Sequence, residues 1–241
     1  MDLLIALKII FGGFILFHAS YLDIKKREIE EWHWIALSLV GLAYAVYMSF
    51  VLHSIKPLLI TVTVFMLMFG LALLLFYLGL FGGGDGKILM GIGALLPSLS
   101  GREYAFGLFP MSVFDNALII SILIPIFILI YNLTRRDFPR EYNSSKVKKI
   151  ISMFIGYRLK TENLSDKFYP LEEFKDGDRT IRLFIGNLDF DIAKYKDDLK
   201  TKKIETLWAT PGLPFIVPIT IGYFIAIFIG DIMLKIVMNF I

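Results

Sequence analysis

The sequence contains no cysteine among its 241 residues and only three histidines, at positions 18, 33 and 53. Without cysteine, disulfides, thiolate nucleophiles, thiolate-bound zinc and iron–sulfur clusters are excluded, and the scattered histidines do not suggest a metal site. Charged residues are also scarce, at 20%, whereas 56% of the residues are hydrophobic and the mean hydropathy is +0.68. This balance excludes an ordinary soluble globule and predicts a chain that is mostly surrounded by lipid.

The charges that are present are concentrated in one stretch. Residues 135–211 hold 17 of the 25 Lys and Arg and 13 of the 22 Asp and Glu. We therefore expect a smaller soluble domain of mixed α/β structure at 135–211, between membrane parts at 1–134 and 212–241. Within it the patterns predict a helix at 145–158, a hairpin turn at 174–178 and a strand at 180–185. No catalytic spacing occurs there, which favours a packing or docking domain.

Six segments elsewhere are apolar enough to lie in a membrane, so the predicted fold is an all-α polytopic membrane protein with six transmembrane helices. The first could instead be a cleaved signal peptide, but it lacks a basic start and further spans follow, which favours a retained helix. The fourth is short, about 22 Å even when extended at both ends, against a hydrocarbon core of ~30 Å. Its glycine-rich start is therefore expected to be submerged. The segments are residues 3–22, 32–52, 58–81, 88–98, 113–133 and 213–241.

The orientation follows from the basic residues that flank these segments. The runs at 25–27 and 135–136 are basic, whereas the loops on the other side offer only Lys56 and Arg102. Because cytoplasmic loops are enriched in Lys and Arg, both termini are expected outside the cell and the soluble domain in the cytoplasm. The chain is thus predicted to be a multi-pass protein of the cell membrane.

Ionisable residues at membrane depth are costly and are therefore functional candidates. Asp115 and Asp231 lie near predicted outer span ends and are interpreted as structural. Asp23 alone could be an interfacial flank, and Asp85 alone could cap the next helix, but the topology places both at cytoplasmic ends of different spans. Two carboxyls that converge in a partly dehydrated site cannot easily both ionise, so one can act as a base while the other acts as an acid. The candidates are Lys8, Asp23, Asp85, Lys87, Asp115, Asp231 and Lys235.

Three consecutive glycines, residues 82–84, precede Asp85. Glycine permits backbone conformations that are closed to other residues and allows close approach of a substrate strand. A flexible linker is the alternative interpretation.

Two motifs in this region resemble the signatures of the membrane aspartyl peptidases that process type IV prepilins and archaeal preflagellins. One is Gly82-x-Gly84-Asp85-x-Lys87-Ile-Leu, similar to the GxGD motif of that family. The other is Ser20-x-x-Asp23-x-x-x-Arg27-x-Ile29, 62 residues earlier as measured between the two aspartates. The order and the six-span layout most resemble the archaeal preflagellin peptidase branch. GxGD alone is shared with presenilin-like proteases.

The resemblance implies an aspartic endopeptidase that removes a short basic leader from preflagellin or prepilin-like proteins at the cytoplasmic membrane face, for the archaeal flagellum. Asp23 and Asp85 are then the catalytic pair. Arg27 and Lys87 are expected to support them electrostatically or to serve only as interface anchors. The acids after the first motif would recognise the basic leader, or would simply balance the neighbouring basic residues; they are Glu28, Glu30 and Glu31.

The sequence departs from the bacterial members at two points. They usually continue Ile-Pro-Asn after the arginine, whereas this chain has Ile29-Glu30-Glu31. They also commonly carry a cysteine-rich domain linked to N-methylation, and no cysteine occurs here. We expect neither methylation nor a metal, organic cofactor or nucleic-acid partner.

Two other classes of function remain open on the residues alone. A transporter or channel component could use paired intramembrane carboxylates to relay protons or bind cations. A scaffold protein could dock partners through the soluble domain and leave the aspartates inert. The position of Asp23 and Asp85 on one predicted side argues against an ion pathway.

Overall fold

A computed structural model describes residues 3–165, 167–175, 178–183, 192–212 and 214–240. The chain divides into two compact units. The first comprises residues 1–121 and 214–241, and the second comprises residues 122–213.

The first unit begins with three long apolar helices that overlap the segments predicted from the sequence, although the third ends at Tyr77 and not at the predicted residue 81. Helix α1 continues four residues past its predicted end at residue 22, because residues 23–26 include no glycine or proline and two lysines in the last turn interact favourably with the negative end of the helix dipole. Arg27, with a φ of 60°, follows the helix. Asp23 therefore lies inside a helix and not in the loop behind it. The helices are α1 (Leu3–Lys26), α2 (Trp32–Val51) and α3 (Lys56–Tyr77).

Helix α4 (Gly83–Leu95) is short and packs against α2 and α3. Its 13 residues span about 20 Å, less than the ~30 Å hydrocarbon core. Small residues let the backbones meet: a Cβ on Gly41 of α2 would lie 2.1 Å from the Ala94 carbonyl oxygen, and one on Gly86 would lie 2.6 Å from the Ala72 Cβ. Such close packing of small residues is how helices associate in lipid. The middle of α4 is consequently buried.

Helix α5 (Phe109–Arg135) begins in the first unit and ends in the second. The last predicted segment is not one straight helix, because α8 (Ile216–Phe228) and α9 (Ile232–Phe240) meet at a bend of 60°. The break falls at Gly230, whose φ of 97° favours glycine, and Asp231 then caps α9 by accepting the Leu234 N–H at 2.8 Å.

The described residues include four helices that are long and apolar enough to cross a membrane, or five if the bent pair counts as one span. The protein is accordingly a mostly helical, multi-pass membrane protein. The remaining predicted segment, the fourth, corresponds to α4, which falls short of a full crossing by length.

The second unit is a small mixed α/β domain. Strands β1 (Tyr157–Lys160), β5 (Thr206–Pro211) and β2 (Phe168–Pro170) form an antiparallel sheet in that order, and β3 (Glu172–Lys175) pairs with β4 (Asp178–Ile181). This hairpin fits the turn predicted at 174–178, although residues 176–177 and the end of the strand predicted at 180–185 lie outside the described residues. The described residues of this domain also include the helices α6 (Lys146–Ile155) and α7 (Ile192–Thr201).

Helix α6 is shorter than the predicted 145–158, because Gly156 is extended and β1 starts directly after it. The core around it contains a buried polar cluster. The Glu172 carboxylate accepts hydrogen bonds from Arg179 at 2.6 Å and from the Tyr142 hydroxyl at 2.5 Å. The Tyr142 oxygen in turn accepts the backbone N–H of Trp208 at 2.9 Å. Burial and the nearby Glu172 charge raise the pKa of Tyr142, so this hydroxyl stays protonated and keeps donating.

Candidate active site

Asp23 lies on the buried side of α1, with its side chain 8% exposed. One carboxylate oxygen, Oδ2, accepts the backbone N–H of Ile216 at 3.1 Å. Ile216 is the first residue of α8, where backbone N–H groups have no partner within the helix and the helix dipole is positive. The start of α8 thus orients the Asp23 carboxylate.

Hydroxyl groups fasten α1 to α8 just below this contact. Ser20 Oγ lies 2.7 Å from Thr220 Oγ1, and Thr220 also donates to the Ile216 carbonyl at 2.9 Å or the Leu16 carbonyl at 3.3 Å. Ser20 belongs to the first sequence motif. Its position indicates that it holds α8 in the register that brings Ile216 to Asp23.

Asp85 is the third residue of α4 and is half-buried. Its Oδ2 accepts the backbone N–H of Gly82 at 3.1 Å. This is one of the two bonds of a capping box, the one from the N-cap backbone to the side chain of the third helical residue. A carboxylate in the first turn is also favoured by the helix dipole. The sequence had allowed for such a cap as the plain interpretation of Asp85, and the structure shows that the cap and an accessible carboxyl coexist.

The two aspartates come from different helices and lie close enough for their charges to interact. An aromatic contact joins the segments that hold them. Phe81 immediately precedes the glycine run and Phe215 immediately precedes Ile216, and their ring centroids are 4.7 Å apart. The segments that orient the two carboxyls therefore pack on each other.

The glycines of the second motif serve packing more than unusual backbone geometry. Gly82 has φ −73° and ψ 152°, which any residue can adopt, and residues 83 and 84 are helical. A Cβ on Gly84, however, would lie 2.8 Å from Ile29 Cγ1, whereas one on Gly83 would meet nothing within 4 Å. Gly84 is thus the position where glycine is required, because the loop after α1 passes directly over it.

Arg27 and Lys87 were predicted as electrostatic support. The Arg27 guanidinium interacts electrostatically with Asp23. Lys87 instead forms an ion pair with Glu31, whose other carboxylate oxygen accepts the Trp34 Nε1–H at 2.6 Å. These bonds to the ionised form hold the pKa of Glu31 below its usual value.

The other two acids of this loop differ in their contacts. Glu30 accepts the Trp32 Nε1–H at 2.7 Å, and the Glu28 side chain is exposed. Two histidines fix the loop from below: His33 Nδ1 lies 2.8 Å from the Glu30 carbonyl and His33 Nε2 lies 2.9 Å from His18 Nδ1. Since a carbonyl only accepts, the neutral His33 ring donates through Nδ1–H to Glu30. Its Nε2 then accepts a hydrogen bond from His18 Nδ1–H.

A second acidic pair lies elsewhere in the same unit. Asp231 is fully buried and accepts from Ser112 Oγ at 2.7 Å in addition to its helix cap, and Asp115 interacts with it. Asn116 joins the same cluster by bonding the Gly230 carbonyl and the Ile232 N–H, both at 3.0 Å. These contacts tie the bend between α8 and α9 to α5. Across the described part of the chain, no group of three or more His, Cys, Asp or Glu side chains is placed to hold a metal ion.

Comparison with known protein families covers both parts of the chain. Residues 10–133 match the type IV leader peptidase family, and residues 148–232 match the type II C-terminus of archaeal A24 peptidases. The chain belongs to the type IV leader peptidase family. The first match contains both aspartates, and the second contains the Ile216 N–H that Asp23 accepts.

Several curated members of the family are similar over nearly the whole chain. The preflagellin peptidase of Methanococcus voltae is 35% identical, covering 91% of this chain and 94% of its own length. That of Methanocaldococcus jannaschii is 32% identical, covering 92% of this chain and 93% of its own length. That of Methanococcus maripaludis is 31% identical, covering 96% of this chain and 98% of its own length. These matches confirm the predicted family and an aspartic-type peptidase activity, and they lend no support to a transporter.

The sequence predicted the members of the aspartate pair but missed their supports. The residues concerned are Phe81, Phe215, Ile216 and Thr220. Ile216 acts through its backbone N–H, and it is 193 residues from Asp23 in the chain. No residue type marks such a contact, although Thr220, a polar residue within the apolar sequence of α8, is a signal that could have suggested one.

Proposed function

We propose that the protein removes short basic leader peptides from preflagellin or prepilin-like proteins, and that Asp23 and Asp85 are its catalytic residues. The convergence of two carboxyls from α1 and α4 in one unit carries this proposal. The relatives named preflagellin peptidase support the substrate. The pair supplies the two groups, one ionised and one protonated, that hydrolysis of a peptide bond requires.

In the proposed reaction a water molecule between the two carboxyls attacks the scissile carbonyl carbon. The ionised carboxylate takes a proton from that water while the protonated carboxyl gives its proton to the carbonyl oxygen. The C–N bond then breaks as the leaving amine receives a proton from the pair. No covalent enzyme intermediate forms, and the substrate binds as an extended strand, because a helix would shield its carbonyl from attack.

The remaining motif residues are assigned supporting parts. Gly84 lets the loop after α1 close over the start of α4, and Gly82 donates its N–H to Asp85. Arg27 acts electrostatically on Asp23, and Lys87 keeps Glu31 in place through their ion pair. The proposed contacts to the basic leader are Glu28, Glu30 and Glu31.

The proposed topology has six membrane segments, with α4 as a short one that does not cross fully. Both termini lie outside the cell, and the soluble domain and both aspartates face the cytoplasm. The cysteine-free sequence allows a direct test, because a single Ser100→Cys or Ser145→Cys variant has no background thiol. An impermeant thiol reagent applied to intact cells should label the first and not the second. The opposite pattern would put the aspartates on the wrong face for leader removal.

The activity is tested by incubating the purified full-length protein in detergent with a preflagellin and measuring the products by mass spectrometry. We expect one new N-terminus, at the end of the basic leader, without added metal or cofactor. The Asp85→Asn protein, prepared in the same way, is the matched control. Equal cleavage by that variant would reject the proposed catalytic pair.

A further inference from the structure

Lys8 is an unusual residue in the first unit, because its side chain is only 7% exposed in an apolar helix. Its ammonium group lies 3.9 Å from the centre of the Tyr44 ring on α2. Within the part of the chain that the structure describes, the Lys8 ammonium group forms no hydrogen bond or ion pair. A buried ammonium without an anion is costly, and a ring face compensates only part of the lost hydration.

The Lys8 side chain lines a cavity of about 410 Å³. This volume lies in the range of roughly 300–1,000 Å³ that small-molecule sites occupy. The walls come from α1, α2, the start of α3 and the segment after α4. A second cation, Lys56, lies at the exposed rim, and three hydroxyl groups accompany it, those of Ser54, Ser98 and Ser100.

The cavity lies at the level where the helices leave the lipid. Lys8 precedes Asp23 by 15 residues on α1, which places it about 22 Å from Asp23 along the helix axis. Helix α2 ends at Val51 and α3 begins at Lys56, so the ends of two membrane segments lie beside the cavity. Lipid headgroups occupy this level of a bilayer.

The chemistry of the walls identifies the class of ligand. Two ammonium groups and several hydroxyls match an anion with several acceptor oxygens, such as a phosphate. Apolar residues line much of the rest of the cavity, and two of them, Leu52 directly after α2 and Ile60 on α3, are more than 40% exposed. A free inorganic anion makes no favourable contact with such apolar walls, whereas the glycerol and upper acyl chain of a lipid can pack against them.

We propose that this cavity binds the phosphate of one anionic membrane lipid, with Lys8 as its buried counter-ion and Lys56 as its rim contact. The site is separate from the aspartates and independent of the proposed peptidase activity. A lipid bound there would link α1, α2 and α3 to the segment after α4. Its occupancy is therefore expected to raise thermal stability without taking part in cleavage.

The proposal is tested with the full-length protein in neutral detergent to which phosphatidylglycerol or phosphatidylcholine is added at equal concentration. Native mass spectrometry should show one phosphatidylglycerol retained per protein, with phosphatidylcholine lost. Lys8→Met keeps an unbranched side chain of similar size but removes the charge. It should weaken retention by about tenfold or more, as expected for loss of a charge-assisted contact, and Lys56→Gln should weaken it less.

Arg102→Gln is the matched control, because it removes an exposed positive charge outside the residues that line the cavity. This variant should retain phosphatidylglycerol like the unmodified protein. Added phosphatidylglycerol should also raise the melting temperature of the unmodified protein and of Arg102→Gln, but not that of Lys8→Met.

Three results would overturn the proposal. The first is undiminished retention of phosphatidylglycerol by Lys8→Met, and the second is equal retention of phosphatidylcholine by the unmodified protein. The third is a rise in melting temperature with millimolar inorganic phosphate alone that matches the lipid effect, which would assign the cavity to a soluble anion.

Discussion

The first unit contains two pairs of aspartates, and they differ in how their oxygen atoms are used. Asp231 is fully buried, and both of its carboxylate oxygens accept bonds, from the Leu234 N–H and from Ser112 Oγ. Asp115 contacts it directly. In the other pair, Asp23 and Asp85 each use Oδ2 to accept one backbone N–H, and Asp85 is only half-buried.

This difference separates a structural pair from a pair suited to catalysis. Bonds that occupy both oxygens of Asp231 fix the bend between α8 and α9 and leave little capacity for a reacting water. Bonds that occupy one oxygen of Asp23 and of Asp85 orient each carboxyl and leave its other oxygen available. Burial alone therefore does not distinguish the two pairs; the acceptor capacity that remains on Asp23 and Asp85 does, and it supports their proposed role in catalysis.

The largest expected effect is the loss of cleavage when either member of the first pair becomes an amide. Asp23→Asn and Asp85→Asn keep the side-chain shape but cannot exchange a proton, so the cleavage rate should fall by about 10²–10⁴-fold or more. A preflagellin cleavage assay at equal concentrations of folded protein measures it. Asp115→Asn is the control and should cleave at close to the normal rate; processing by Asp23→Asn at that rate would refute the assignment.

A smaller loss is expected from Gly84→Ala. The added methyl group would lie 2.8 Å from Ile29 Cγ1, and overpacking of this kind costs about 1–3 kcal/mol, or roughly a fivefold to hundredfold loss of kcat/KM if it displaces Asp85. Gly83→Ala is the matched control, since its methyl group meets nothing within 4 Å. The double variant Gly84→Ala with Ile29→Ala should regain activity. Equal losses of kcat/KM in Gly83→Ala and Gly84→Ala would show that the loss comes from the changed helix propensity and not from packing against Ile29.

For the second pair we expect an effect on stability and not on chemistry. Asp231→Ala removes the cap of α9 and the partner of Ser112, which should lower the free energy of unfolding by about 1–3 kcal/mol. Thermal melting in detergent measures this change. The rate of cleavage per folded molecule should stay within about twofold of normal, and a catalytic loss comparable to that of Asp85→Asn would erase the distinction between the pairs.

The smallest effect concerns the acids of the loop after α1. Changing Glu28, Glu30 and Glu31 together to Gln should raise KM for a basic leader by roughly two- to tenfold, because exposed charge pairs contribute little. The effect should shrink at high salt, where the Debye length falls below ~10 Å. A substrate with its leader Lys changed to Gln is the control. The same KM change on both substrates would indicate that these acids only support the loop through Trp32, Trp34 and Lys87.

The sequence predicted the long helices and the aspartate pair because both leave local patterns. Apolar runs of about 20 residues have one stable structure in lipid, and the motifs around Asp23 and Asp85 are short and contiguous. The shortness of α4 also followed from counting residues between Asp85 and the polar turn near residue 100.

Contacts between segments that are distant in the chain could not be predicted from local sequence patterns. The bend at Gly230 depends on Asn116 and Ser112 of α5, more than 110 residues earlier. Without knowledge of these partners, the apolar run at 213–241 predicts one continuous helix. The role of Gly84 was predicted as backbone freedom, whereas the structure shows close packing under Ile29. Both differences arise because the partner atoms are known only after folding.

Binding of a tetrahedral inhibitor tests most directly whether a water between Asp23 and Asp85 is the attacking group. The probe is a leader peptide whose scissile bond is replaced by a hydroxyethylene group, compared with the same peptide without the hydroxyl. Because transition-state analogues bind at least about 10²-fold more tightly than substrates, the hydroxyl should strengthen binding to the unmodified protein and to Asp115→Asn. Asp23→Asn and Asp85→Asn should lose that gain. An equal gain from the hydroxyl in all four proteins would contradict catalysis by this pair.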